Sequence, residues 1–470
     1  MDDFQVGAAA GGPASKGEYG LRPQDVHSAY DLPNTASSAQ TIALVDAYDD
    51  PTAESDLKKY DEEFSLPACT TANHCFRKIN EEGKSAPLPE AEPDWDLEIS
   101  LDIEMAHATC ENCHIMLVEA NSSFLGDLEP AVNTAVAAGA TEISNSYGGA
   151  DYGEGGAYNH PGVVITASTG DLGYDNTWFP FFGETANYPA SSPDVVAVGG
   201  TTLTLKHGSW AGESAWAEAG SGCSPAEAPS WQLAVADWSR VGCGTQRADS
   251  DISADADPDT GVAVYDTSYG GWVTVGGTSV SSPVIASAFA LAGGADGVEY
   301  PAQTLYSHLG GSSLHDVLTG TNGGCLTVNE FGEPQCTTAE EEADCANELI
   351  CNARAGYDGP TGIGTPDGLG AFRLPSSVTH PTVTSITPSS GTTAGGTAVT
   401  IRGTNLGKAA YVHFGSTTAT ITKDSAGSLT AISPAHTAGK VSVTVTNASG
   451  GRSAESSADA FTYTTPKRKS

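Results

Sequence analysis

Apolar and polar positions along this chain follow two different patterns, and the change falls near residue 372. Before it, short continuous apolar runs come between stretches with helical spacing. Thr41-Ile42-Ala43-Leu44-Val45-Asp46 is the first such run and reads as a strand buried on both faces. A turn and a helix follow, capped at Asp50 with Pro51 at its first position. A helix near 97–109 then leads to a strand over 115–119, and a helix near 125–138 leads to a strand over 142–146. Further apolar strands are expected over 163–168 and 195–199. Strands alternating with helices predict an α/β domain, a mainly parallel sheet covered on both faces. Reactive groups of such sheets gather at the carboxyl ends of the strands, where Asp46, residues 168–171 and Ser279 fall.

After residue 372 helical periodicity stops. Leu374-Pro375-Ser376-Ser377 opens a linker, and short alternating strands over 384–387, 398–401, 411–414 and 441–445 are separated by Gly, Asn and Ser turns. That spacing predicts an all-β sandwich of about 85 residues. The first twenty residues are rich in Gly, Ala and Ser and are expected to be mobile. The expected organisation is a flexible segment over 1–20, an α/β domain over 21–372, a linker over 373–380 and a sandwich over 381–465.

Charge narrows the partners. A formal net charge of −38 over 470 residues makes nucleic acid and anionic membranes poor partners at neutral pH. Acid would discharge much of it, so the composition suits work at low pH, and it suits simple solubility equally. No apolar run approaches the roughly 20 residues of a membrane-spanning helix. The N-terminus has no basic and apolar regions of a signal peptide, so a mature or processed form is expected. Ten cysteines lie in close pairs: Cys69 and Cys75, Cys110 and Cys113, Cys223 and Cys243, then Cys325, Cys336, Cys345 and Cys351. They read as disulfides of a secreted protein, with the connectivity open. Cys110 and Cys113, flanked by His107 and His114, leave zinc as a lesser option.

Two stretches carry candidate chemistry. In Gly276-Gly277-Thr278-Ser279-Val280-Ser281-Ser282-Pro283 a β-branched run ends in paired glycines ahead of a small-residue helix, with Pro283 in its first turn. Ser279 there caps the helix, facing unpaired N–H groups and the positive end of the dipole, which suit an alkoxide and an oxyanion. The plain alternative is an ordinary N-cap serine. In Glu98-Ile99-Ser100-Leu101-Asp102 two carboxylates four residues apart share one helix face. Beside a nucleophile, a pair sharing one proton becomes a base poised in acid; otherwise it is an exposed acidic face.

The Gly-Thr-Ser-x-Ser-x-Pro segment resembles the nucleophile turn of the subtilisin-like fold, shared by subtilisins and sedolisins. Asp46 stands where the subtilisin aspartate would be, but no His-Gly-Thr-His follows it, and it reads as structural or supporting. The Glu98/Asp102 segment, the loop Ala167-Ser168-Thr169-Gly170-Asp171 and the run Asp251-Ile252-Ser253-Ala254-Asp255 all resemble sedolisins, the serine-carboxyl peptidases. The resemblance covers about residues 20–372. It implies a subtilisin-like three-layer fold and a secreted, monomeric endopeptidase acting on protein or peptide substrates in acid. By it Ser279 is the nucleophile, Glu98 and Asp102 the base pair, and Asp171 a protonated donor to the oxyanion. A large N-terminal prodomain needed for folding is implied as well. So is one structural calcium ion, held by the side chains of Asp316 and Asp358 and the carbonyls of Val317, Arg354 and Gly356; other members carry glycine where Arg354 stands. The tail, with Ile386-Thr387-Pro388, Gly395-Gly396-Thr397 and Gly403-Thr404-Asn405, resembles the IPT/TIG immunoglobulin-like modules. The rival expectation is an inert secreted binding or adhesion protein working through that module.

Overall fold

The computed structural model describes residues 20–38, 40–151, 156–174, 186–295, 298–323, 348–375, 378–448 and 450–465. It adds four short strands, Gln5–Val6, Ala9–Pro13, Thr327–Val328 and Pro334–Gln335. The large sheet is built from β1 (Thr41–Ala47), β2 (Phe76–Asn80), β3 (His114–Ala120), β4 (Glu142–Asn145), β5 (Val164–Ser168), β6 (Val196–Lys206), β7 (Ser209–Ala215) and β8 (Ile252–Asp255). Its order is β7-β6-β5-β4-β1-β3-β2, with β8 also paired to β6. Every pairing is parallel except β6 with β7, where an eleven-residue strand turns back on itself. The apolar run of β1 explains its central place: Ile42, Ala43, Leu44 and Val45 have no exposed surface, as a strand covered on both faces requires.

Four helices matter for the site: α1 (Ala53–Phe64), α2 (Pro93–Thr109), α3 (Leu125–Ala137) and α4 (Thr278–Ala292). Helices α2 and α4 pack against each other and on β1, while α3 packs on β1 and β3. Neither α2 nor α4 has a solvated face. Trp95 to Thr109 are all buried in α2, so its carboxylates are interior groups rather than an acidic surface. No helix among the described residues is long and apolar enough to cross a membrane.

Three local expectations are corrected. Helix α1 starts at Ala53, with Thr52 as its N-cap, because Asp50 Oδ1 accepts both the Thr52 N–H at 2.7 Å and its hydroxyl at 2.8 Å. The side chain closes residues 50–52 into a turn of its own ahead of the helix. The first twenty residues are not simply a mobile tail. Gln5–Val6 pairs with the strand Tyr147–Ala150, and Ala9–Pro13 with the strand Gly271–Gly276. An open strand edge takes a partner through its backbone, whatever the side chains. The zinc option fails because Cys110 and Cys113 are joined in a disulfide, as are Cys69–Cys75 and Cys223–Cys243. Cys351 is disulfide-bonded too, while Cys325, Cys336 and Cys345 lie outside the described residues.

The chain separates into two compact units, and the second is discontinuous: residues 159–162, 295–304 and 374–470. Its tail forms two facing sheets, one of four strands and one of five. In the strand Ala398–Thr404 Val399 and Ile401 are fully buried between exposed or half-exposed neighbours, and they join Leu429, Phe414, Val443 and Phe461 in one core. The inserted piece is fixed by several contacts within this unit. Val298 bridges Gly451, the Tyr300 and Tyr411 rings lie 5.6 Å apart, and buried Glu299 meets buried His413 Nδ1 at 2.7 Å. Removing one partner of a buried ion pair costs about 3–5 kcal/mol. A chain ended at Phe372 is therefore expected to melt at a lower temperature than the full chain. Below that temperature it should still cleave a short peptide, since no candidate catalytic residue lies beyond Phe372. Equal melting temperatures would show that residues 295–304 do not depend on the tail.

Candidate active site

The turn before α4 is shaped by its glycines. A Cβ on Gly276 would come within 2.4 Å of Pro258 N, and Gly277 holds φ at +108°. Gly277 N–H donates to Ala256 O at 2.5 Å, which seats the turn on the backbone after β8. Gly277, and not Ser279, is the N-cap, so Ser279 is the second helical residue. The capping acceptor comes from elsewhere in the chain. Asp171 Oδ1 accepts the Thr278 N–H and the Thr278 hydroxyl, each at 2.8 Å, so no cap side chain is needed from the turn itself. Ser279 keeps its N–H among the first donors of the helix, which have no acceptor one turn back.

Pro283 lies inside α4, one turn deeper than the sequence suggests. It stands four residues after Ser279 and has no N–H, so the Ser279 carbonyl is left without its helical partner. Ser146 Oγ, directly after β4, reaches that carbonyl at 3.4 Å and donates to Asp102 Oδ1 at 2.8 Å. One hydroxyl thus lies between α2 and the head of α4. Ser279 Oγ and Asp102 Oδ2 are buried and have no hydrogen-bond partner among the described residues.

Glu98 and Asp46 act on Asp102 through their charges, and Asp171 stands at Thr278, the residue before Ser279. Glu98 and Asp102 have no exposed surface, and they sit on one face of α2. Burial pushes Asp102 well above its usual range, the charges of Asp46 and Glu98 push it further, and the Ser146 hydrogen bond opposes them. Asp46, at the carboxyl end of β1, is fully buried with neither oxygen bonded, and burial raises it to about 7. Asp171 follows β5. The residue is partly exposed through its other atoms, but its Oδ2 is buried and has no hydrogen-bond partner among the described residues. Burial raises its carboxyl to about 7, outweighing the two Thr278 hydrogen bonds that lower it. With Oδ1 taken up as an acceptor, Oδ2 is the oxygen on which a proton resides in acid.

Ser146 links Asp102 to the Ser279 carbonyl, Asp171 bonds Thr278 next to Ser279, and Glu98 lies near enough to Asp102 for its charge to act on it. The structure adds three groups that sequence reasoning left aside or undervalued: Ser146, Thr278 and Asp46. For Ser146 the available signal was its place just after an apolar strand of a parallel sheet.

The proposed calcium ligands lie in a separate pair of loops. Asp358 is fully buried and bridges Gly362, while exposed Asp316 follows a two-strand ladder, Leu314–His315 with Thr365–Pro366. Burial and the charge of Asp316 raise Asp358 to about 8, although Arg354 N–H and Thr361 donate to it. Both Asp316 oxygens accept the Gly356 N–H, at 3.1 and 3.2 Å. Two nearby carboxylates, one buried and resisting ionisation, are a hard-oxygen set that suits a calcium ion. Among the described residues, one other group of ligand types comes together, Cys69, Cys75 and His107, and its two sulfurs are already bonded to each other.

The chain is similar in sequence and fold to known proteins. Residues 89–311 match the model of the subtilase family, and residues 381–463 match that of the IPT/TIG domain. Over 383 residues the chain is 27% identical to sedolisin of Pseudomonas sp. (strain 101), covering 74% of this chain and 60% of the relative. Over 384 residues it is 29% identical to kumamolisin of Bacillus sp. (strain MN-32), covering 74% and 62%. The chain thus spans less than two thirds of the length of these relatives. Among solved structures, Pseudomonas sedolisin complexed with two molecules of pseudo-iodotyrostatin superposes with a TM-score of 0.57 at 25% identity. That match covers 74% of this chain and 95% of that one. Residues 89–311 thus carry a match to the subtilase family, with sedolisin and kumamolisin as similar proteins, and residues 381–463 a match to the IPT/TIG domain.

Proposed function

We propose that the chain is a secreted serine-carboxyl endopeptidase that hydrolyses peptide bonds in acid. The observation that carries this reading is the Ser146 hydroxyl, which joins Asp102 to the backbone of Ser279 at the head of α4. In the proposed reaction Glu98 takes the proton from Ser279 Oγ, and Asp102 shares that proton and orients Glu98. Ser279 then attacks the scissile carbonyl. The oxyanion is held by the Ser279 N–H and by the protonated Asp171 carboxyl. Glu98 returns the proton to the leaving amine, and water then removes the acyl group. Asp46 is the group that makes this base acid-tuned: a third buried carboxyl beside Asp102 favours a shared proton.

A quenched fluorescent peptide assayed at pH 4 tests the reading. Ser279→Ala and Glu98→Gln should each lower kcat/KM by a factor on the order of 10⁴, because members of such a unit fail together. Activity of the parent protein that survives in Ser279→Ala would sink the assignment, and a parent with no activity would favour the binding-protein alternative.

Calcium belongs to the same proposal. Asp316 and Asp358 would hold it by their side chains, and Val317, Arg354 and Gly356 by their carbonyls. Bound there, it neutralises two carboxylates in loops away from the reacting atoms. The melting temperature should rise with added calcium and fall in chelator, and Asp358→Asn should abolish the difference. The same melting temperature in both solutions would exclude the site. An extracellular location is the reading that the disulfides support. Folding with a prodomain and a monomeric state follow from the resemblance.

A further inference from the structure

The turn that carries Asp171 has to hold one carboxyl oxygen against Thr278 while the other stays dry. Its backbone is tied to neighbouring strands and loops: Thr169 N–H donates to Val198 O at 3.0 Å, and Gly170 O accepts the Gly220 N–H at 2.7 Å. These are backbone bonds, and any sequence could make them. Among the described residues, the side chains that bond this turn's backbone are those of Thr278 and Asn187. Thr278 Oγ1 accepts the Gly170 N–H at 3.0 Å. From the opposite side Asn187 Nδ2 donates to Thr169 O at 2.6 Å. The fit is tight: a Cβ on Gly170, at φ +95°, would stand 2.2 Å from that nitrogen.

Asn187 is itself fixed. Its N–H donates to Asp249 Oδ2 at 3.2 Å, its carbonyl accepts the Ser191 N–H at 2.8 Å, and its backbone pairs with Ala150. Asp249 is buried, and its charge interacts with that of buried Arg247, which Asp251 pairs at 2.7 Å. The amide is therefore presented from a rigid base to one carbonyl, two residues before Asp171.

We propose that Asn187 is a positioning residue for catalysis: its amide clamps the Thr169 carbonyl and so fixes the Asp171 carboxyl against the head of α4. The proposal rests on the peptidase reading given above. Without the clamp the turn loosens and water reaches Asp171, whose resistance to ionisation depends on burial.

Three variants test it by kcat and KM on a short peptide from pH 3 to 9. Asn187→Ala should lose about 10- to 100-fold in kcat with KM little changed, and its alkaline limb should move to lower pH. Asn187→Asp can still donate when protonated, so it should match the parent in acid and lose kcat as its own carboxyl ionises. In an Asp171→Asn background, Asn187→Ala should leave the alkaline limb where Asp171→Asn alone puts it. The parent's kcat and limb in Asn187→Ala would overturn the proposal, as would a limb shift of equal size in both backgrounds. Carbon NMR titration of the Asp171 carboxyl in folded parent and variants gives a readout without turnover. There the clamp predicts a lower value in Asn187→Ala, and identical values overturn it. A parent that cleaves nothing refutes the peptidase reading, while the titration still decides whether Asn187 holds Asp171.

Discussion

Asp171→Asn is expected to stay active and to keep working at a pH where the parent has stopped, whereas Asp171→Ala is expected to be nearly inactive throughout. The carboxyl is divided in its duties. Oδ1 accepts from Thr278, and Oδ2 is buried with no hydrogen-bond partner among the described residues. An asparagine can reproduce that division, with its carbonyl toward Thr278 and its amide in the place of the protonated oxygen. Burial raises Asp171 to about 7, so the parent should lose this donor as the pH passes through that value. It gains a negative charge beside a developing one at the same time. Loss of one oxyanion donor costs roughly 3 kcal/mol, about a hundredfold in rate, and the added charge deepens the loss. Asparagine is neutral at every pH, so the alkaline limb of kcat/KM should move upward in Asp171→Asn. Superimposable limbs in parent and variant would remove Asp171 from the oxyanion site.

The second large effect is on folding. The protein should be most stable near pH 4 and lose stability steadily toward pH 9. Asp46 and Asp249 are raised by burial to about 7, Glu142 to about 8 and Glu119 to about 9, the last in spite of Lys78. Each of these groups keeps a proton in the folded chain that the unfolded chain has already released. Such a group contributes stability that is fully present below the unfolded value, near 4, and is lost as the pH rises through the folded one. A shift of about three units in one buried carboxyl corresponds to roughly 4 kcal/mol, and ordinary domains are stable by only about 5–15 kcal/mol. The net charge of −38 acts in the same direction through self-repulsion. The exposed Arg22–Asp25 pair has the opposite sign, because it lowers Asp25, but it is half in solvent and weak. Melting temperatures read by circular dichroism from pH 3 to 9 decide the matter. A flat or rising profile between pH 4 and 8 would mean that the interior carboxyls ionise without cost.

What could be read from the sequence was whatever local spacing encodes. The run Ile42 to Val45 announces a strand covered on both faces, and the Glu98/Asp102 spacing puts two carboxylates on one side of a helix. The parallel sheet and the immunoglobulin-like tail follow from the same kind of pattern. What escaped depends on partners distant in the chain. Ser146 is an ordinary serine until Asp102 and the Ser279 carbonyl come to it. Ser279 seemed to be the cap because the true acceptor, Asp171, lies 107 positions before Thr278. The start of α1 was misplaced for a local reason, competition from the Asp50 side chain, which pattern alone does not weigh.

The discontinuous second unit has a consequence for how the chain is made and rebuilt. Residues 295–304 leave the ribosome more than a hundred residues before Tyr411, His413 and Gly451, which complete their surroundings. For that interval Glu299 stands without its imidazole, so the stretch just past α4 cannot reach its final state until the sandwich strands have been made. The immunoglobulin-like module is accordingly no interchangeable cassette. A graft cut at residues 381–463, where the family match begins and ends, would carry across a foreign sandwich with none of the three side-chain and backbone groups that Val298, Glu299 and Tyr300 engage.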